Sequence, residues 1–291
     1  MISNDIFLIV LLAAALNAGW NSAIKVGGDR ITVMAITTLL GSAISLCVLP
    51  WVEMPARASW ILLALSIAIH TVYHFVLPIA YSHGDLGQVY PIARGSAPLL
   101  VMAGAAVFAG EWPGAGEILG VMVLSVGVLT LALGARTLDC RVGGTPGSAT
   151  GKAVGYALLT GFLIAAYTVV DALGARRSGS AIGFAVLITL GDGIATALIV
   201  LSWKGARVVR VSRQTLALCA VASAMQMGAY WIAVWALARA PMGTVSALRE
   251  TSVLFVALIS AFMLKEGVNA RRMISAVLIF AGIALIRFGG N

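Results

Sequence analysis

Apolar residues fall along this chain in ten long runs, at roughly 5–25, 31–52, 59–81, 86–108, 116–134, 153–173, 180–202, 214–237, 242–264 and 273–288. A helix rises ~1.5 Å per residue, so runs of this length match a hydrocarbon core ~30 Å thick. The connections between them are short and polar, as in Gly27-Gly28-Asp29-Arg30, Glu53-Met54-Pro55-Ala56-Arg57 and Gly110-Glu111-Trp112-Pro113-Gly114. The pattern predicts an all-α polytopic membrane protein with ten transmembrane helices. The longest connection, 136–152, is rich in Gly, Thr, Pro and Ser and reads as a linker between halves 1–135 and 153–291, each with five spans.

The halves resemble each other. A shift of 155 places Arg94 on Arg249, Glu111 on Glu266 and Gly127 on Gly282; nearby shifts place Tyr73 on Tyr230, His74 on Trp231 and Trp20 on Tyr167. Five is odd, so the second half enters the membrane from the opposite side. That is an inverted repeat around a central cavity, a construction common in secondary transporters. The basic residues Arg57, Arg176, Arg177, Arg239 and Arg287 fall on the side of the N-terminus, and all others outside the spans fall on the opposite side. By the positive-inside bias both termini are expected outside.

Composition narrows the class. The 291 residues are 60% hydrophobic and 10% charged, with mean hydropathy +1.01. A soluble domain carries about 25% charged residues, so this chain cannot cover a water-facing surface. The net charge of +8 sits in short loops, where lipid headgroups rather than nucleic acid are the expected partners. Cys47, Cys140 and Cys219 have no metal-ligand or disulfide spacing, and Cys47 and Cys219 read as packing residues. The N-terminus has no basic region or small-residue cleavage site, so the first run reads as a retained span. The phosphate-binding pattern GxxxxGK[ST] does not occur, and neither a cofactor nor a metal is expected.

The candidate chemistry lies inside the spans. Arg94 sits eight positions into the fourth run, ~12 Å deep, and an arginine there needs a carboxylate, a cavity or an anion. Tyr90, Pro91, Arg94 and Pro98 share a stripe, and the prolines predict a kinked helix with freed carbonyls. In the ninth run Arg249 precedes Glu250. Adjacent residues point ~100° apart on a helix, so Arg249 is expected to reach Asp171, Asp192 or a substrate anion, and Glu250 to serve Arg94 or a proton. His70, Tyr73, His74, Leu77 and Tyr81 form one polar-aromatic face of helix 3. Trp20 and Asn21 in helix 1, Tyr167 and Asp171 in helix 6, and Tyr230 and Trp231 in helix 8 occupy corresponding places. Trp51, Trp60, Trp112 and Trp203 read as interface anchors. Helices 5 and 10 carry glycines at helical spacing and read as scaffold or as a homodimer face.

These motifs resemble the EamA-like transporters of the drug/metabolite transporter superfamily. The resemblance rests on Ala18-Gly19-Trp20-Asn21 through Lys25, Tyr90-Pro91-Ile92-Ala93-Arg94-Gly95, Gly110-Glu111, Ala166 to Asp171, Leu248-Arg249-Glu250-Thr251-Ser252 and Lys265-Glu266. It implies ten helices in two inverted repeats, with helices 1–4 and 6–9 around a cavity and helices 5 and 10 at the side. The expected activity is secondary transport of a small anionic or zwitterionic metabolite, such as an amino acid or phosphonate, in a bacterial inner membrane. Arg94, Arg249, Tyr90, Trp20, Asn21, Tyr73, His74, Tyr167, Tyr230 and Trp231 are the expected substrate residues. Glu250, Asp171 and Asp192 are expected in proton coupling or ion pairing. The competing classes are a lipid or amphiphile flippase and a non-transporting structural membrane protein; no nucleophile, base and orienting group come together as in an enzyme.

Overall fold

The computed structural model describes residues 2–24, 30–83, 86–139, 151–205, 211–255 and 270–289. Lys25, Cys140, the linker segment 140–150 and the Lys265-Glu266 pair lie outside the described residues. The α-helices are α1 (Asn4–Ile24), α2 (Arg30–Val48), α3 (Trp60–His83), α4 (Leu86–Ala109), α5 (Ala115–Asp139), α6 (Gly151–Arg177), α7 (Ala181–Lys204), α8 (Arg213–Leu237), α9 (Met242–Arg249) and α10 (Ala270–Phe288). No strand occurs among the described residues. Seven helices, α1 to α4 and α6 to α8, are long and apolar enough to cross a membrane, and α5 holds a shorter apolar stretch, Ala115–Leu131. The protein is an integral membrane protein built of helices. Large apolar side chains such as Leu8, Leu12, Ile61, Val107 and Phe280 stay on the surface, as a hydrocarbon solvent permits. Cys219 is buried, but Cys47 is exposed and does not pack inside as expected; it lies near the end of the apolar helix α2.

The helices form two compact units, each drawn from both halves of the sequence: residues 1–7, 76–169 and 240–291 in one, 8–75 and 170–239 in the other. In the first unit, α5 packs on α10 around Val121, Leu124, Val128 and Ile279. Their backbones nearly touch. A Cβ on Gly282 would lie 2.7 Å from the Gly120 carbonyl and 2.8 Å from the Leu124 nitrogen, so only glycine fits. The glycine stripe seen in the sequence is therefore used between α5 and α10 of one chain. In the second unit, α2 packs on α7, where Ser42 Oγ donates to the Leu190 carbonyl at 2.9 Å. Phe184, Ala185, Ile188, Ala175 and Val234 form a core beside it.

The ninth apolar run is not one continuous helix. α9 ends at Arg249, Glu250 and Thr251 form a turn, and helix resumes at Ser252. Across the break the backbone shifts to three-residue hydrogen bonds: Glu250 N–H to Ala247 O at 3.0 Å, Val253 N–H to Glu250 O at 3.1 Å and Leu254 N–H to Thr251 O at 2.9 Å. Thr251 Oγ1 also donates to the Leu248 carbonyl at 2.7 Å, giving the backbone an alternative to the helical ladder. α4, by contrast, stays helical through Pro91 and Pro98.

Candidate functional site

The first unit holds the arginines. Arg94 on α4 and Glu250 at the end of α9, 156 positions apart, meet through Arg94 Nη1 and Glu250 Oε1 at 3.2 Å. Both are almost fully buried, at 5% and 2% exposure. The Arg94 guanidinium also lies 5.4 Å from the centre of the Tyr90 ring, within cation–π range. Two buried polar atoms here, Tyr90 Oη and Glu250 Oε2, have no hydrogen-bond partner among the described residues. Arg249, half-buried, is the residue at which α9 breaks. Of the sequence alternatives for Arg94, the structure selects Glu250. Among the described residues of this cluster, two arginines against one glutamate leave a positive charge. Arginine does not deprotonate in proteins, so that charge is permanent.

The Gly110-Glu111 motif positions this arrangement. Gly110, at φ +67°, follows the end of α4, and the Glu111 N–H bonds back to the Ala105 carbonyl at 3.1 Å. The bond reaches back six positions and closes over Gly110, whose left-handed conformation favours glycine. The turn sends the Glu111 carboxylate to the start of α9, where Oε2 accepts from the Met242 N–H at 2.8 Å. Pro241 offers that helix no side-chain cap, so Glu111 supplies the missing acceptor and a favourable charge at the positive helix end. Glu117 accepts from the Thr244 hydroxyl in the same place. The cavity of about 240 Å³ beside them is lined by these two carboxylates and is unsuited to an anion.

The second unit holds the aspartates, and their described partners are histidines and hydroxyls. Asp171 on α6 accepts from Tyr230 Oη at 2.9 Å and from Ser66 Oγ, with His70 Nε2 3.9 Å away. Asp192 on α7 has His74 Nδ1 at 3.2 Å, with Thr71 and Thr196 hydroxyls at 3.3 and 3.4 Å. The two histidines come from successive turns of α3, as their spacing indicated. Ser66, one turn before His70, extends the same stripe; the i, i+4 spacing would have found it. Thr71, Thr196 and Glu117 carried no such signal.

The remaining candidates separate by environment. Trp20, Tyr73 and Tyr167 are buried at 6 to 8% exposure, whereas Trp51 and Trp112 exceed 80%. That is the division between interior aromatics and interface anchors expected from position in the runs. The Tyr73 ring lies 5.5 Å from that of His74. Trp20 and Asn21 are occupied within their own helix: Trp20 Nε1 donates to Asn17 Oδ1 at 2.8 Å and Asn21 Nδ2 to the Asn17 carbonyl at 2.7 Å. Trp231 donates to Thr189 Oγ1 at 3.0 Å rather than to either aspartate.

Comparison with known proteins places the chain. Residues 151–288 match the EamA-like transporter family. A solved crystal structure, titled only as that of a protein, shares the fold with a TM-score of 0.72 at 18% identity, over 96% of this chain and 94% of that one. No curated protein matches the sequence.

Proposed function

We propose that this membrane protein, whose residues 151–288 match the EamA-like transporter family of the drug/metabolite transporter superfamily, is a transporter of a small anionic or zwitterionic metabolite. It works without ATP, by alternating access, with the two halves as inverted five-helix repeats in a bacterial inner membrane. One observation carries the reading: the buried Arg94–Glu250 pair at the break in α9, with Arg249 beside it. Interrupted helices are tolerated inside a membrane where they are buried in protein or line a cavity, and transporters use such breaks at their binding sites.

Glu250 balances one arginine, so the site keeps one positive charge, and a carboxylate or phosphonate supplies the counter-charge through charge-assisted hydrogen bonds. The unpartnered Glu250 Oε2 and Tyr90 Oη suit the ammonium or hydroxyl of such a ligand. Trp20, Tyr73, Tyr167, Tyr230 and Trp231 are the candidates for holding its organic part. A homodimer through α5 and α10 would use their outer faces, which include Met122, Val126, Val277 and Phe280.

The test is uptake of L-aspartate and methylphosphonate into proteoliposomes. Wild type gives saturable uptake of at least one, and Arg249→Gln lowers it tenfold or more. Equal rates for wild type and Arg249→Gln overturn the anion site. Movement of a fluorescent phospholipid, with no uptake of either solute, assigns the protein to amphiphile translocation instead.

A further inference from the structure

The anion reading leaves the aspartate–histidine clusters of the second unit unused. Their electrostatics are unusual. Within α2, α3, α7 and α8, away from the terminal turns, no lysine or arginine occurs. The titratable groups facing one another are His70, Tyr73 and His74 from α3, Asp171 from α6, Asp192 from α7 and Tyr230 from α8; α2 adds only hydroxyls such as Thr38 and Ser42. Two buried aspartates are balanced only if something positive joins them. Among the described residues of these four helices, away from their ends, the groups that can become positive are the two histidines.

The clusters differ in how well each carboxylate is satisfied. Asp171 takes a hydroxyl proton from both Tyr230 and Ser66. Asp192 is served less well. Thr71 has one hydroxyl hydrogen, and its 2.8 Å contact with the Ile67 carbonyl is better than its 3.3 Å contact with Asp192. Thr196 is 3.4 Å away. The nearest ring nitrogen to Asp192 is His74 Nδ1, at 3.2 Å. The same nitrogen lies 3.3 Å from Thr196 Oγ1, and a neutral ring carries one N–H and keeps a lone pair on its other nitrogen. One proton taken from water forms the second ring N–H bond and turns the pair from singly negative to neutral; breaking that bond returns the proton. Histidine is the side chain whose ordinary range allows this near neutral pH.

We propose that His74 and Asp192 form a reversible proton-binding site in the membrane, held between α3 and α7. Resting on the transport reading above, this makes H⁺ the coupling ion and, of Glu250, Asp171 and Asp192, gives the proton role to Asp192 together with His74, while Glu250 is tied to Arg94.

The experiment does not need a transported substrate, so it can fail or succeed independently of that reading. The chain has three histidines, so ¹⁵N-histidine NMR of the purified protein in detergent, with His70→Gln and His83→Gln for assignment, follows His74 from about pH 4 to about pH 9. The expected result is a ring with one N–H at high pH that gains a second N–H as pH falls. Asp192→Asn then cuts the protonated fraction about tenfold or more at a pH where wild type is partly protonated, because the carboxylate favours the charged ring. A His74 that keeps one protonation state throughout overturns the proposal, and wild type alone decides this if Asp192→Asn does not fold. An unchanged titration in folded Asp192→Asn overturns it as well.

Discussion

The two units bury charge in opposite ways. The first unit buries arginine against glutamate, and the arginine charge is permanent. The second uses aspartate with histidine, where the net charge depends on proton uptake. A fixed positive charge suits an anion that must be bound at any pH. An adjustable pair suits a proton that must be both held and released. Under the two proposals made above, the first arrangement serves the metabolite and the second the ion that drives it.

The sharpest way to break this contrast is to strand one charge. Glu250→Ala leaves Arg94 without its buried partner, and Arg94→Ala does the same to Glu250. Each is expected to cost about 3–5 kcal/mol of stability, read as a fall in thermal unfolding temperature in detergent. The double variant Arg94→Met with Glu250→Leu should be much closer to wild type. His74→Gln, which removes a partner that is charged only when protonated, should cost less than either single change.

Gly282→Ala tests the scaffold instead. Its new Cβ meets the Gly120 carbonyl and the Leu124 backbone, so about 1–3 kcal/mol is lost in the same measurement. For the proton side, His74→Gln should lower uptake driven by an imposed pH gradient tenfold or more, equivalent to about 1.4 kcal/mol, while substrate counterflow at equal pH persists. The smallest effect is at the helix cap: Glu111→Ala should cost about 1 kcal/mol.

Much of this was legible in the sequence because it depends on local spacing. Hydropathy located the apolar helices, and the i, i+4 spacing of His70 and His74 correctly placed them on one face. Burial separated Trp20 and Tyr73 from Trp51 and Trp112 as their positions implied. What escaped was non-local. Spacing offered Glu250 to Arg94 or to a proton, and only the fold, which joins positions 156 apart, decides for Arg94. The break in α9 occurs without proline or glycine, through the Thr251 hydroxyl and the burial of Glu250, so no turn residue announces it. Glu111 was visible as a motif, but its purpose required Met242, 131 positions later.

The most direct test of the central claim is ligand-induced thermal stabilisation of the purified protein. L-aspartate and methylphosphonate would be compared with the neutral amide L-asparagine, in wild type, Arg249→Gln and Asp192→Asn. The account predicts that at least one acid stabilises wild type and Asp192→Asn well beyond the amide, and that Arg249→Gln abolishes the difference. Equal stabilisation by the acids in wild type and Arg249→Gln would contradict it.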